Sequence, residues 1–375
     1  MSLPPRHQHH LQKRIENNSL RSLTTVNKLI DFSSNDYLGL SRNKALWQII
    51  QDSKTTKSNG STGSRLLTGN SDCAIAVERF LALQFQSQAT LVFNSGYNAN
   101  LSVLSTLPLR NDVIYYDELS HASIKDGIRL SLAKKASFKH NDLVDLEKKL
   151  KAQTEGDTYV VVESVYSMDG DICDLQALVQ ISKRHKAYLI VDEAHATGLM
   201  GINGGGLSET LGLQNDIFCR IYTFGKAMGI HGAAIAGSNE LIQYLINFAR
   251  PFIYTTAPPD HHYAAIKCAF EFLNQHPELK EKAQLQTKYF TQQANSILGN
   301  KYKRTNSNHP IQTILIEGND EVRQLAKHLQ YKGFDVKPIL SPTVKEGQER
   351  LRICIHSFNT NDEITALIDT LAAYS

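Results

Sequence analysis

The chain has 375 residues, 41% of them hydrophobic and 21% charged, with 40 basic and 37 acidic side chains and a net charge of +3. It is too long for one ordinary core, so two packed units or one large α/β domain with an appendage are expected. The near-balanced charge, without a basic block, gives no hold for nucleic acid or an anionic membrane. No apolar run approaches the roughly 18 residues of a membrane span, and residues 1–20 hold no apolar signal core. Cys73, Cys173, Cys219, Cys268 and Cys354 form no CxxC pair, which fits reduced thiols and a cytoplasmic location. His7, His9 and His10 crowd the N-terminus in what reads as a disordered, solvated tail. The other histidines lack ligand spacing, so no metal is expected.

In chain order, Leu11 to Lys28 is polar and partly helical, and 29–32 is a short strand. Asn35-Asp36-Tyr37-Leu38-Gly39-Leu40 reads as a turn, and residues 59–71 are glycine and hydroxyl loop chemistry. Ile75, Val77, Phe80, Leu81 and Leu83 then recur near a period of 3.6, predicting a helix. Strands follow at Ala89 to Phe93, Asp112 to Tyr116, Tyr159 to Glu163, Ala187 to Val191 and Arg220 to Thr223, with helices at Tyr97 to Ser105 and Leu175 to His185. That alternation predicts an α/β fold with a mostly parallel sheet covered by helices on both faces. After Pro258-Pro259 a helical stretch of about 260 to 298 precedes strands at Ile311 to Ile316 and Arg350 to Ile355 and helices at Asp320 to Gln330 and Asp362 to Tyr374, the pattern of a smaller α+β unit. The expected division is an N-terminal segment 1–45, a large domain 46–260 and a small domain 261–375.

In open α/β sheets ligands lie beyond the carboxyl ends of the strands, and the polar motifs of this chain cluster there. Lys226 stands in Thr223-Phe224-Gly225-Lys226-Ala227-Met228-Gly229, and Asp192 closes an apolar run and opens Asp192-Glu193-Ala194-His195-Ala196-Thr197-Gly198. A lysine held after one strand, with a carboxylate at the tip of another, is what a pyridoxal-phosphate enzyme requires. The amine forms a Schiff base, and the carboxylate keeps the pyridine nitrogen protonated. Asn94-Ser95-Gly96-Tyr97-Asn98 opens a helix and offers free N–H groups to a phosphate. Duller readings stand beside each of these. Loop 59–71 alone is more often a surface turn, His121 more often a capping or core histidine, and a lone lysine a surface group. Asp-Glu-Ala-His also occurs in nucleotide-driven helicases, but the GxxxxGK[ST] loop they need is missing.

These motifs, together with Gly60-Ser61-Thr62-Gly63-Ser64-Arg65, Ser120-His121-Ala122-Ser123, Ser167-Met168-Asp169-Gly170-Asp171 and Arg350-Leu351-Arg352, resemble those of the α-oxoamine synthase family of fold-type I pyridoxal-phosphate enzymes. The resemblance runs from about Asp31 to the C-terminus. It implies a decarboxylative condensation of an amino acid with an acyl thioester, without metal. By the same resemblance Lys226 carries the cofactor and moves the α-proton, Asp192 pairs with the pyridine nitrogen, His195 meets the ring hydroxyl, and His121 stacks on the ring. Gly96, Tyr97 and Thr223 resemble the phosphate and cofactor contacts, and Ser167 a serine near the ring hydroxyl and substrate. Arg352 resembles the guanidinium that holds the amino-acid carboxylate, with Asn35 assisting. Thr343 and Arg21 match further substrate contacts. Thr255 and Thr256 look like the segment that reaches a neighbouring subunit's phosphate, which implies a homodimer with shared sites. Thr223-Phe224-Gly225-Lys226 followed by Gly232-Ala233-Ala234-Ile235 resembles the members that join L-alanine to a pimeloyl thioester of coenzyme A or acyl carrier protein. Ser123-Ile124-Lys125-Asp126-Gly127-Ile128-Arg129-Leu130 looks more like the members that acetylate glycine, and a serine-acylating activity is a further alternative.

Overall fold

The computed structural model describes residues 2–23, 25, 28–53, 59–153, 155–305 and 307–374; Thr24, Val26 and Asn27, within the polar segment predicted at 11–28, lie outside them. The chain forms two units. One comprises Asn35–Ser167 and Ile172–Glu281, the other Met1–Ser34, Met168–Asp171 and Lys282–Ser375.

The larger unit is built on a seven-stranded sheet in the spatial order Ala89–Phe93, Ala233–Gly237, Cys219–Thr223, Tyr188–Asp192, Thr158–Glu163, Val113–Asp117 and Lys134–Phe138. All neighbours are parallel except Ala233–Gly237, which runs against both of its partners. Because Phe93 and Thr223 both pair with Ala233, the six other strands end at one edge. Successive residues point to opposite faces. Tyr159 and Val161 join a core with Ala99, Val103, Ile124 and Leu245. Val160 and Val162 join the opposite core with Leu146, Leu150, Leu178 and Val179. Both faces of the sheet are therefore covered, and the strands read as unbroken apolar runs because neither face meets water.

Two strands of this sheet carry no clear signal in the sequence. Lys134–Phe138 is an edge strand with mostly exposed residues, so it lacks an apolar signature. Ala233–Gly237 is enclosed except at Gly237 but, apart from Ile235, is made of small residues with weak strand preference. The single helical stretch expected from 260 to 298 is two helices, Asp260–Gln275 and Glu278–Leu298, broken at His276-Pro277. The unit boundary falls within that stretch, after Glu281, rather than at its start.

In the smaller unit an antiparallel sheet has the order Lys337–Ile339, Arg350–Cys354, Ile311–Leu315 and Lys303–Arg304, and Ile30–Asp31 pairs in parallel with Phe334–Asp335. Helices Asn319–Tyr331 and Asn361–Ala373 close its core through Val322, Leu325, Ile364 and Leu367. The histidine-rich N-terminus, expected to be a disordered tail, is instead the helix Pro5–Glu16. Proline at its first position fits a helix start, and Gln, Leu, Lys and Arg favour its interior. None of its described side chains is buried, but the chain just beyond it is tied down where Asn18 Nδ2 donates to Asp320 at 2.6 Å and Asn319 Nδ2 to the Asn17 carbonyl at 3.2 Å. Among the described residues no helix is long and apolar enough to cross a membrane. No disulfide joins the five cysteines.

Candidate active site

The sheet edge of the larger unit gathers most of the polar residues singled out above. Asp192 ends its strand 4% exposed. Its Oδ2 accepts from Asn100 Nδ2 at 2.7 Å and its Oδ1 from the Ala194 amide at 2.9 Å, so the buried carboxylate is held by neutral donors. Asn100 comes from the helix Gly96–Thr106, capped by Ser95, whose hydroxyl accepts from the Asn98 amide. At the mouth of that helix an added Cβ on Gly96 would lie 2.2 Å from Thr223 Oγ1. Only glycine fits there, which leaves the helix N-terminus open beside the Thr223 hydroxyl.

Lys226 follows the strand Cys219–Thr223 on a tight turn. The Gly229 amide donates to the Lys226 carbonyl at 2.9 Å, and the Ile230 amide to the Phe224 carbonyl at 3.0 Å. Phe224, Ala227 and Met228 are buried, and Lys226 itself is half-buried. The turn is fixed from below by Gly229 at φ +63°, where a Cβ would meet the Ser41 amide at 2.3 Å. The turn therefore presents its lysine from a rigid base.

His121 lies just past the strand Val113–Asp117 and caps the helix Ala122–Leu130. Asp117 orders the approach by accepting from the Leu119 amide at 2.8 Å and the Asn141 amide at 2.9 Å. The His121 ring keeps an open face, while Nδ1 accepts from the Ser123 amide at 3.2 Å and contacts Ser123 Oγ at 2.8 Å. An accepting Nδ1 puts the ring proton on Nε2. Desolvation lowers the pKa of this imidazole; Lys226 and Lys125 lower it further, against the opposing pull of Asp192.

His195 is buried, with Nδ1 2.9 Å from Tyr37 Oη, and Tyr37 donates to Asn35 Oδ1 at 3.0 Å. Since that hydroxyl proton is used on Asn35, the Tyr37 oxygen receives the Nδ1 proton of His195. The adjacent Glu193 is fully buried and accepts from the Leu207 amide at 3.0 Å and the Ser208 amide at 2.8 Å, so it holds the loop rather than facing a ligand. Burial raises its pKa.

Tyr97, by contrast, is 43% exposed and donates to Asp126. Ser167 is half-buried at the end of its loop. Thr255 and Thr256 lie between the helices Arg250–Ile253 and Asp260–Gln275. Their segment is bound to loop 59–71, with the Ala257 amide on the Gly63 carbonyl at 2.9 Å and Ser61 Oγ on the Pro258 carbonyl at 2.7 Å. Within that loop Arg65 forms a paired bond with Glu78 at 2.8 Å for each nitrogen, a structural clamp. In the smaller unit Arg21 Nη2 donates to Thr343 Oγ1 at 3.2 Å. Arg352 is 8% exposed on the strand Arg350–Cys354, with Nη1 3.0 Å from Cys354 Sγ. Asn100 and Glu163, both buried at the sheet edge, were assigned no role from the sequence. Their only signal is a polar residue inside an otherwise apolar helix face or strand.

The donor set fits pyridoxal phosphate. A buried carboxylate held by neutral donors matches a protonated pyridine nitrogen, an open helix N-terminus beside a hydroxyl matches a phosphate, and a half-buried amine on a rigid turn matches an aldehyde. Residues 27–371 match the family model "Aminotransferase class I and II", and the chain belongs to that family. It is 36% identical to 8-amino-7-oxononanoate synthase of Emericella nidulans over 97% of this chain and 94% of the relative, and 39% identical to 8-amino-7-oxononanoate synthase 2 of Bacillus subtilis over 90% and 86%. Among solved structures, serine palmitoyltransferase of Sphingomonas wittichii superposes with a TM-score of 0.90 at 26% identity, covering 100% of this chain and 98% of the other. The 8-amino-7-oxononanoate synthase of Francisella tularensis does so with a TM-score of 0.79 at 29% identity, covering 92% and 97%.

Proposed function

We propose that this protein is a pyridoxal-phosphate enzyme that condenses L-alanine with a pimeloyl thioester, of coenzyme A or acyl carrier protein, and releases 8-amino-7-oxononanoate, carbon dioxide and the free thiol, a step of biotin synthesis. The observation that carries the reading is the convergence of Lys226, Asp192 and His121 on one sheet edge, in a chain more than a third identical over most of its length to relatives bearing that name.

Bound pyridoxal phosphate supplies an electron sink for the charge left on the amino-acid α-carbon. Lys226 Nζ would hold the cofactor aldehyde, and the same amine would take the α-proton of the amino acid. Asp192 keeps the ring nitrogen protonated, and His195, its Nδ1 tied to Tyr37, meets the ring hydroxyl through Nε2 with Ser167 nearby. His121 covers one face of the ring. Gly96, Tyr97 and Thr223 supply phosphate and cofactor contacts. Arg352, with Asn35, holds the alanine carboxylate in the paired geometry that suits guanidinium, and Arg21 and Thr343 are further substrate contacts. Thr255 and Thr256 complete the site of a second copy, so the working form is a homodimer in the cytoplasm. The exposed Leu67, Phe248 and Tyr254 of the larger unit support that assembly.

The deciding experiment compares pimeloyl, acetyl and long-chain acyl thioesters with alanine, glycine and serine. A single methyl group changes binding by only about 1–3 kcal/mol, so some glycine turnover is compatible with the assignment. The acyl chain discriminates better. The expected result is the highest kcat/KM for alanine with the pimeloyl thioester. A specificity constant about tenfold higher for glycine with acetyl-coenzyme A would replace the assignment with a glycine acetyltransferase, and a preference for serine with a long-chain acyl thioester would replace it with a palmitoyltransferase-like activity.

A further inference from the structure

Asp192 and His121 do not act as separate fixtures. From Asp192 Oδ2 a bond leads to Asn100 Nδ2 at 2.7 Å, and the same nitrogen reaches Ser123 Oγ at 3.1 Å. Ser123 Oγ contacts His121 Nδ1 at 2.8 Å. On the other side the His121 amide donates to Glu163 Oε1 at 2.6 Å, and Glu163 is the register partner of Asp192 on the adjacent parallel strand. Register partners on parallel strands project to the same face. The five residues Asp192, Asn100, Ser123, His121 and Glu163 therefore form one polar chain whose two ends are neighbours in the sheet, and every member but His121 is buried.

We propose that Glu163 and Asn100 are positioning residues: they fix the ring plane of His121 and the carboxylate of Asp192 as one body, and so set the angle at which the cofactor ring is held. The inference rests on the pyridoxal-phosphate reading above. Chemistry supports it from two sides. A fully buried acid next to a second carboxylate is stable when it carries a proton, and burial followed by the Asp192 charge raises the Glu163 pKa well above the usual carboxylate range. Glu163 can then accept the His121 amide without adding a second negative charge beside Asp192. Asn100, a neutral donor, bridges the two functional groups without altering the charge of either.

Two readouts test this. In the cofactor-free protein, imidazole ¹⁵N shifts report the tautomer of His121, expected with its proton on Nε2. In the loaded protein, the circular dichroism of the cofactor band per mole bound reports how the ring is held, independently of turnover. Glu163→Ala orphans the His121 amide, so the tautomers should mix, the induced band should fall by about half, and cofactor Kd should rise about tenfold, as when an outer-shell partner is removed. Glu163→Gln keeps an accepting oxygen and should stay near the parent on both readouts. Asn100→Ala should behave like Glu163→Ala, and it carries the test if Glu163→Ala does not fold. Unmoved tautomer and dichroism in the alanine variants, or a glutamine variant as impaired as alanine, would overturn the proposal. If the unaltered protein itself takes up no cofactor, the functional reading fails. If it does and Glu163→Ala is unmoved, only this inference fails.

Discussion

A histidine with an enclosed nitrogen makes the fold sensitive to acid. Among the described residues His262 Nε2 is buried without a hydrogen-bond partner, and burial, followed by the charges of His231 and His261, lowers its pKa to about 4. A base whose folded pKa lies below its unfolded value of about 6.5 favours the fold while neutral. Its contribution is present above pH 6.5 and is lost as pH falls toward 4, to the order of 3 kcal/mol. Urea midpoints at pH 7 and pH 4.5 should therefore differ less in His262→Leu than in the parent; an unchanged difference would show that this histidine does not set the acid limit. Lys226 belongs to the same scale. Lys226→Ala should fold normally yet bind pyridoxal phosphate without the borohydride-reducible link, because no other amine stands on that turn. A reducible adduct surviving in the variant would point to another lysine.

At the scale of elements, the turn beneath Lys226 depends on Gly229. Gly229→Ala must place a side chain at φ +63° and against the Ser41 amide, and it should lower stability by about 2–4 kcal/mol, read from the urea midpoint at constant m-value. A loss under half a kcal/mol would mean the turn relaxes freely. Elements of this kind were legible in the sequence where composition carried the signal. Thr158–Glu163 and Tyr188–Asp192 announce themselves as buried β-branched runs, and Lys226 and Asp192 stand at strand ends where open sheets place ligands. Other features were silent for physical reasons. Lys134–Phe138 is held by pairing with Val113–Asp117 rather than by its own apolar content. Glu163 reads as the polar end of a strand, and Asn100 as one more residue of a helix. Their meaning lies in a contact between Asn100 and Asp192, 92 positions apart, and no periodicity encodes such a contact.

For the whole molecule, the proposed pairing through the segment from Phe252 to Pro259 predicts an isologous dimer, with the same patch used twice. Light scattering at working concentration should give twice the chain mass; a monomer with full turnover would exclude a shared site. The larger unit holds everything from Asn35 to Glu281 except Met168–Asp171. The smaller unit is different, since Ile30–Asp31 finds its strand partner only in Phe334–Asp335. On a ribosome adding roughly 5–20 residues per second, the first strand of that unit therefore waits some 15–60 s for the second. During that interval its Phe32, wholly enclosed in the finished protein, has no core to enter. The order of synthesis thus leaves the N-terminal strand without its partner until residue 335 has emerged, and Phe32 without its full core until the last helix follows.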